Sequence, residues 1–174
     1  EQLVTDFYRS DCLGMISFGT GMSSEILEDI LCLERPLVLV DSGDMVSGAM
    51  HIKASNYKGM YQATQYLYQQ GHRRICLVGD ASVEETFAER RSGALRFAET
   101  HPGELRLTQV NAPLTPGLAE YVNLEQLREH LKKGESTAYI CINDAVAGQL
   151  YEQAERLGLR IPEDISVVGF DNAV

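Results

Sequence analysis

Two polar pairs stand directly after apolar runs. Asn143-Asp144 follow Tyr139-Ile140-Cys141-Ile142, and Asp171-Asn172 follow Ile165-Ser166-Val167-Val168-Gly169-Phe170. An ionised carboxylate only accepts hydrogen bonds, whereas an amide both donates and accepts, so these groups could hold adjacent hydroxyls or the N–H edge of a base. The same residue types also cap helices by accepting free backbone N–H groups, a role open to Asn143 and Asp144 alike. Other chemistry is not signalled. There is no P-loop, G-x-S-x-G elbow or dinucleotide fingerprint, and the lone Gly19-Thr20-Gly21 reads as an ordinary strand-to-helix turn. Cys12, Cys32, Cys76 and Cys141 form neither a CxxC pair nor a metal pattern with the four histidines. No catalytic residue, metal or cofactor is expected, and the chain is not expected to be an enzyme.

The elements that must position these groups alternate. Gly14–Phe18 and Leu37–Val40 read as strands around a helix that ends near Leu33, with the tail of an amphipathic helix before them at Glu1–Arg9. The stretch from Asp41 to Ser55 is irregular and marks a boundary. A helix then runs from Asn56 to Gly71, a strand over Ile75–Val78, and a helix through Ala98. A more exposed strand follows near Leu105–Gln109, then a loop with two prolines over Asn111–Pro116, a helix to Gly134, and the strand-helix-strand unit described above. Near-continuous apolar strands alternating with helices predict a parallel, doubly wound α/β fold. In such sheets ligands bind beyond the carboxyl ends of the strands, where loops converge, so both polar pairs fall on the functional edge.

Composition narrows the partners. At 174 residues and 44% hydrophobic the chain can bury a real core. The net charge is −10 and the cations are scattered in pairs such as Arg73-Arg74, so the chain by itself is not expected to bind nucleic acid. No apolar run reaches the roughly 18 residues of a membrane span, and the first residues lack the pattern of a signal peptide. The chain therefore reads as soluble and cytoplasmic, with no membrane partner.

Four motifs in order then identify a resemblance: Gly71-His72-Arg73-Arg74-Ile75 before a strand, Arg90-Arg91-Ser92-Gly93 as an R-x-x-G helix, Asn143-Asp144 with Ala147, and Pro162 through Asp171. The chain resembles the effector-binding domain of the lactose-repressor/galactose-repressor family of bacterial transcription regulators, essentially end to end. The resemblance implies two α/β lobes like those of type I periplasmic sugar-binding proteins, here incomplete at both ends. Residues 1–54 would be part of the N-terminal lobe and 55–174 most of the C-terminal lobe. Two strands are too small a sheet to bury their apolar residues alone, so the first part should lean on segments outside this sequence or on another chain.

The implied function is that of a repressor's sensing module: a sugar- or nucleoside-class effector binds between the lobes and alters operator affinity. Intact members are homodimers, and operator DNA would be reached only through a helix-turn-helix that this sequence lacks. An extracytoplasmic sugar-binding protein of the same fold is the alternative reading.

Alone, Arg90 reads as a solvated helix arginine; the resemblance makes it a ligand contact, with Asp171 and Asn143 beside it and Asp144 left as the helix cap. Phe18 and Phe170 could supply an apolar floor, although core packing suits Phe170 as well, and His72 reads as structural. Ser55 stands where relatives often have aspartate, and Gln149 where they often have glycine. Asp171→Ala or Arg90→Ala is expected to abolish effector response while leaving folding largely unchanged.

Overall fold

The computed structural model describes residues 2–18, 23–42, 46–79, 85–111 and 124–173. The Gly19-Thr20-Gly21 turn, residues 82–84, and the proline-rich loop beyond Asn111 lie outside them. The chain divides into two compact units, Glu1–Ser55 and Asn56–Val174.

The first unit contains α1 (Gln2–Arg9), β1 (Met15–Phe18), α2 (Ser24–Leu31), β2 (Leu37–Val40) and β3 (Met50–Ile52). The strands form a parallel sheet in the order β1-β2-β3. Strand β3 was not anticipated, because three residues with a central histidine give neither a run nor an alternation long enough to register. One face of the sheet buries Leu37 and Leu39 against Phe7, Leu27 and Ile30 of the two helices. The Arg35 guanidinium tightens this layer by donating to the carbonyls of Phe7 (2.8 Å) and Ser10 (3.1 Å) at the end of α1.

The second unit contains α3 (Asn56–Gln69), β4 (Arg74–Val78), α4 (Glu85–Glu99), β5 (Arg106–Val110), α5 (Leu124–Lys133), β6 (Ala138–Cys141), α6 (Asp144–Arg156) and β7 (Ser166–Val168). Its sheet is parallel throughout, in the order β5-β4-β6-β7. Because the connection from β4 runs to one side and the next two run to the other, right-handed crossovers put α4 on one face and α5 and α6 on the opposite face. Helix α3 packs on α4. With both faces covered, Ile75 through Val78 and all of β6 are buried, which is why these segments are continuous apolar runs. Cys76 and Cys141 sit in that core, and burial pushes the Cys76 thiol up to about 12 and the Cys141 thiol upward as well, so both act as small hydrophobes.

Two details fix the packing around this sheet. A Cβ built on Gly93 would stand 2.1 Å from the Tyr57 carbonyl oxygen, so glycine is required for α3 and α4 to approach this closely. At the amino edge, the His72 ring nitrogens stand 2.9 Å from Thr137 Oγ1 and 3.0 Å from Ser166 Oγ, tying the starts of β6 and β7 together. His72 is thus structural.

Candidate functional site

The R-x-x-G segment places Arg90 one turn before the close helix crossing, on the face of α4 that turns inward. Its guanidinium is buried and makes three hydrogen bonds. Nε donates to Asn56 Oδ1 (2.9 Å), Nη1 to the Ile142 carbonyl (2.6 Å) and Nη2 to Asp171 Oδ1 (2.8 Å). The plane lies 3.9 Å from the centroid of the Phe170 ring and 5.6 Å from that of Phe87. A rigid fork of five donors suits this work, because it can bridge the ends of two strands and a helix while keeping donors in reserve.

Asp171 forms the outer end of the arrangement. Its side chain is 41% exposed while Arg90's is 9%, so the ion pair joins a buried pivot to a solvent-facing carboxylate. Asp171 and Asn172 both have positive φ, 97° and 56°, which swings the chain sharply after β7. Aspartate and asparagine tolerate this region better than most residues. The Ala173 N–H then donates to Asp144 Oδ2 (2.7 Å), pinning the turn to the start of α6. Gly169 leaves room for that carboxylate, since a Cβ on it would meet Asp144 Oδ1 at 2.0 Å.

The capping role expected of Asp144 falls to Asn143. Asn143 is the N-cap of α6: its backbone is extended (φ −155°), its carbonyl accepts from Ala147 N–H, and its side-chain oxygen accepts from Val146 N–H at 2.9 Å. The helix starts at Asp144, so the preceding residue holds the capping position, and the Asp144 carboxylate is left to face Asp171's turn.

The structure therefore brings Arg90 and Asp171 together and sets Asn143 next to them through Ile142. A concavity of about 490 Å³ at this edge is lined by Gly59, Ala63, Asp144, Gly169, Phe170, Asp171 and Asn172, without Arg90 or Asn143. Phe170 is only partly available as a floor, because the Arg90 guanidinium covers its ring and Gly59 presses on its edge, where a Cβ would come within 2.9 Å. Phe18 belongs to the first unit, exposed at the carboxyl end of β1.

Sequence reasoning missed Asn56 and Glu89. Asn56, 2% exposed, donates through Nδ2 to Glu89 Oε2 (3.1 Å) while its Oδ1 holds Arg90. An amide at the first position of a helix that follows a unit boundary, together with an acid beside the motif arginine, was the available signal. A third cluster has the residue types of a catalytic triad but not the setting. His130 Nε2 is 3.1 Å from Ser136 Oγ and Nδ1 is 4.0 Å from Glu135 Oε2, yet both His130 and Ser136 are buried in the core of the second unit. Among the described residues no group of three or more His, Cys, Asp or Glu could hold a metal ion, and no helix is long and apolar enough to cross a membrane.

Comparison with known proteins adds the context. Residues 64–174 match the family model for the periplasmic binding protein-like domain. The chain is 33% identical over 139 residues to the HTH-type transcriptional repressor PurR of Vibrio vulnificus strain CMCP6, covering 79% of this chain and 40% of that protein. It is 27% identical over 168 residues to the HTH-type transcriptional regulator DegA of Bacillus subtilis strain 168, covering 91% of this chain and 48% of that protein. The chain thus spans under half the length of these curated relatives, which are transcriptional regulators and not enzymes. Among solved structures, a LacI transcriptional regulator from a Rhodococcus species superposes with a TM-score of 0.79 at 26% identity, over 98% of this chain and 62% of that one. A LacI family regulator from Enterococcus faecium with bound ribose gives 0.78 at 22% identity, over 97% of this chain and 62% of that one, and supports the fold.

Proposed function

The chain belongs to the periplasmic binding protein-like domain family, in the form carried by lactose-repressor-family regulators, and from that premise we propose that it senses a small polar effector at the carboxyl edge of the second unit. On this reading residues 1–54 belong to the N-terminal lobe and 55–174 to the C-terminal lobe of the sensing domain. The effector is of the sugar or nucleoside class. In the whole protein, a cytoplasmic homodimeric repressor, its binding shifts the population between states of different operator affinity.

One observation carries the reading: a buried arginine, fixed on three sides, presents a half-exposed carboxylate at the strand ends. Such a carboxylate is pre-oriented, so a ligand hydroxyl gains its hydrogen bond without ordering a loose side chain.

The geometry revises which variant tests this. Arg90→Ala would strand the Asn56 and Ile142 oxygens inside the protein and cost about 3–5 kcal/mol of stability, so that variant should not leave folding unchanged. Asp171→Ala removes the exposed end instead. In the full-length repressor, calorimetry against a panel of sugars and nucleosides should show affinity for the bound compound falling by at least about tenfold, the effect of losing a charged hydrogen-bond acceptor. Operator binding without effector should persist. Unaltered affinity in Asp171→Ala would refute the site.

A further inference from the structure

We infer that the effector taken at this edge bears hydroxyls and carries no phosphate or carboxylate; this rests on the function proposed above and narrows its ligand class. An anion would need a cation with uncommitted charge. Arg90 is the cation in place, and its charge is already matched by Asp171 at 2.8 Å, while two more of its five N–H groups are committed to Asn56 and Ile142.

Among the described residues that line the concavity, the charges have the wrong sign for an anion. Asp144 lines the same concavity as Asp171, and its Oδ2 is held by a neutral donor, the Ala173 N–H. Glu89 stands behind Asn56, held by the neutral side-chain amide. Asp171 is thus the carboxylate paired with the guanidinium, while Asp144 and Glu89 are held by neutral donors. A phosphate ester brings a charge of roughly −1.5 to −2 at pH 7, and it would either dislodge Asp171 from Arg90 or lie against both Asp171 and Asp144. The chain's net charge of −10 adds repulsion of the same sign at longer range.

Hydroxyls meet the opposite situation. A carboxylate offers about four lone-pair positions, and Arg90 occupies one of them on Oδ1. The exposed side of Asp171 can therefore accept from two neighbouring hydroxyls without disturbing the ion pair. Specificity of this kind comes from what the site repels as much as from what it binds.

The test uses the full-length protein and matched pairs: ribose with ribose 5-phosphate, glucose with glucose 6-phosphate, adenosine with AMP, and guanosine with GMP. Each is titrated by calorimetry into the wild type and into Asp171→Asn, whose amide keeps an acceptor for Arg90 and whose folding is checked by circular dichroism. In the pair that binds, the unphosphorylated member should bind at least about tenfold tighter. Asp171→Asn should narrow that gap by weakening the neutral member and admitting the ester. An ester that binds as tightly as its parent, or tighter, overturns the inference while leaving the proposed function standing so long as its binding depends on Asp171. If no pair binds, or binding ignores Asp171 altogether, the proposed function falls and the inference falls with it.

Discussion

Strands β6 and β1 are both four residues long and mostly apolar, Ala-Tyr-Ile-Cys and Met-Ile-Ser-Phe, but have opposite fates. All four residues of β6 are buried, whereas Ile16 and Phe18 of β1 are 62% and 75% exposed. The register explains how far this extends. Ile16 aligns with Val38 and Met50, and Phe18 with Val40 and Ile52, so one face of the first unit's sheet presents two rows of three apolar side chains. Met50 and Ile52 are themselves more than half exposed. The second unit has helices over both faces, while the first unit's two helices bury Leu37 and Leu39 on one. An apolar run thus records the surroundings a parallel strand is made for.

The largest test of this contrast compares two isoleucines. Ile140→Ala in β6 removes a side chain with no exposed surface and should cost about 2–5 kcal/mol, as core truncations do. Ile16→Ala in β1 should cost under about 0.5 kcal/mol in the isolated chain, as surface substitutions do. Native-state hydrogen exchange resolves the two units separately. A comparable loss of protection from both variants would show that the exposed face is covered after all.

A smaller effect distinguishes the units by pH. His130 lies between α5 and β6 of the second unit, against Ser136 and the Tyr139 ring. Burial lowers its pKa from 6.5; Glu135 opposes that shift, while Lys133 and Arg106 reinforce it. The folded state therefore resists a proton that the unfolded state accepts. The contribution to stability is complete above pH 6.5 and is lost as pH falls through 6.5 toward the lower folded value. Urea titrations between pH 7.5 and 5.5 should show that decline, and His130→Gln should flatten it. His72, also lowered by burial, leaves a residual slope in that variant. A profile identical in His130→Gln and the wild type would remove His130 from the account.

The alternation of elements, the boundary near Ser55 and the placement of Asp171 at a strand end were all legible, because each rests on local pattern: continuous apolar runs, a stretch of small polar residues, a polar pair after a run. What was not legible depends on packing between distant segments. Nothing local to Asn56 says that its amide will lie between Glu89 and Arg90, and nothing local to Arg90 says that its guanidinium will be buried under Phe170. The motif supplied the arginine's importance without its geometry, so its structural share was underestimated. Gly93 is the clearest example: the spacing R-x-x-G contains it, but only the helix crossing at Tyr57 gives it a reason.

The capping of α6 by Asn143 leads to the finest test, because capping and ligand contact make different demands on one side chain. Capping needs an oxygen that accepts from Val146 N–H, and serine supplies one about as well as asparagine. Ligand contact would need the amide's donor as well, which serine cannot reproduce in the same place. Asn143→Ser should therefore change stability by less than about 0.5 kcal/mol, well below the roughly 1 kcal/mol expected for Asn143→Ala. If effector affinity in the full-length protein is also unchanged, Asn143 serves the site only by starting α6 and so positioning Asp144. If affinity drops while stability holds, its amide reaches the ligand, and the functional edge extends from Asp171 across the end of β6.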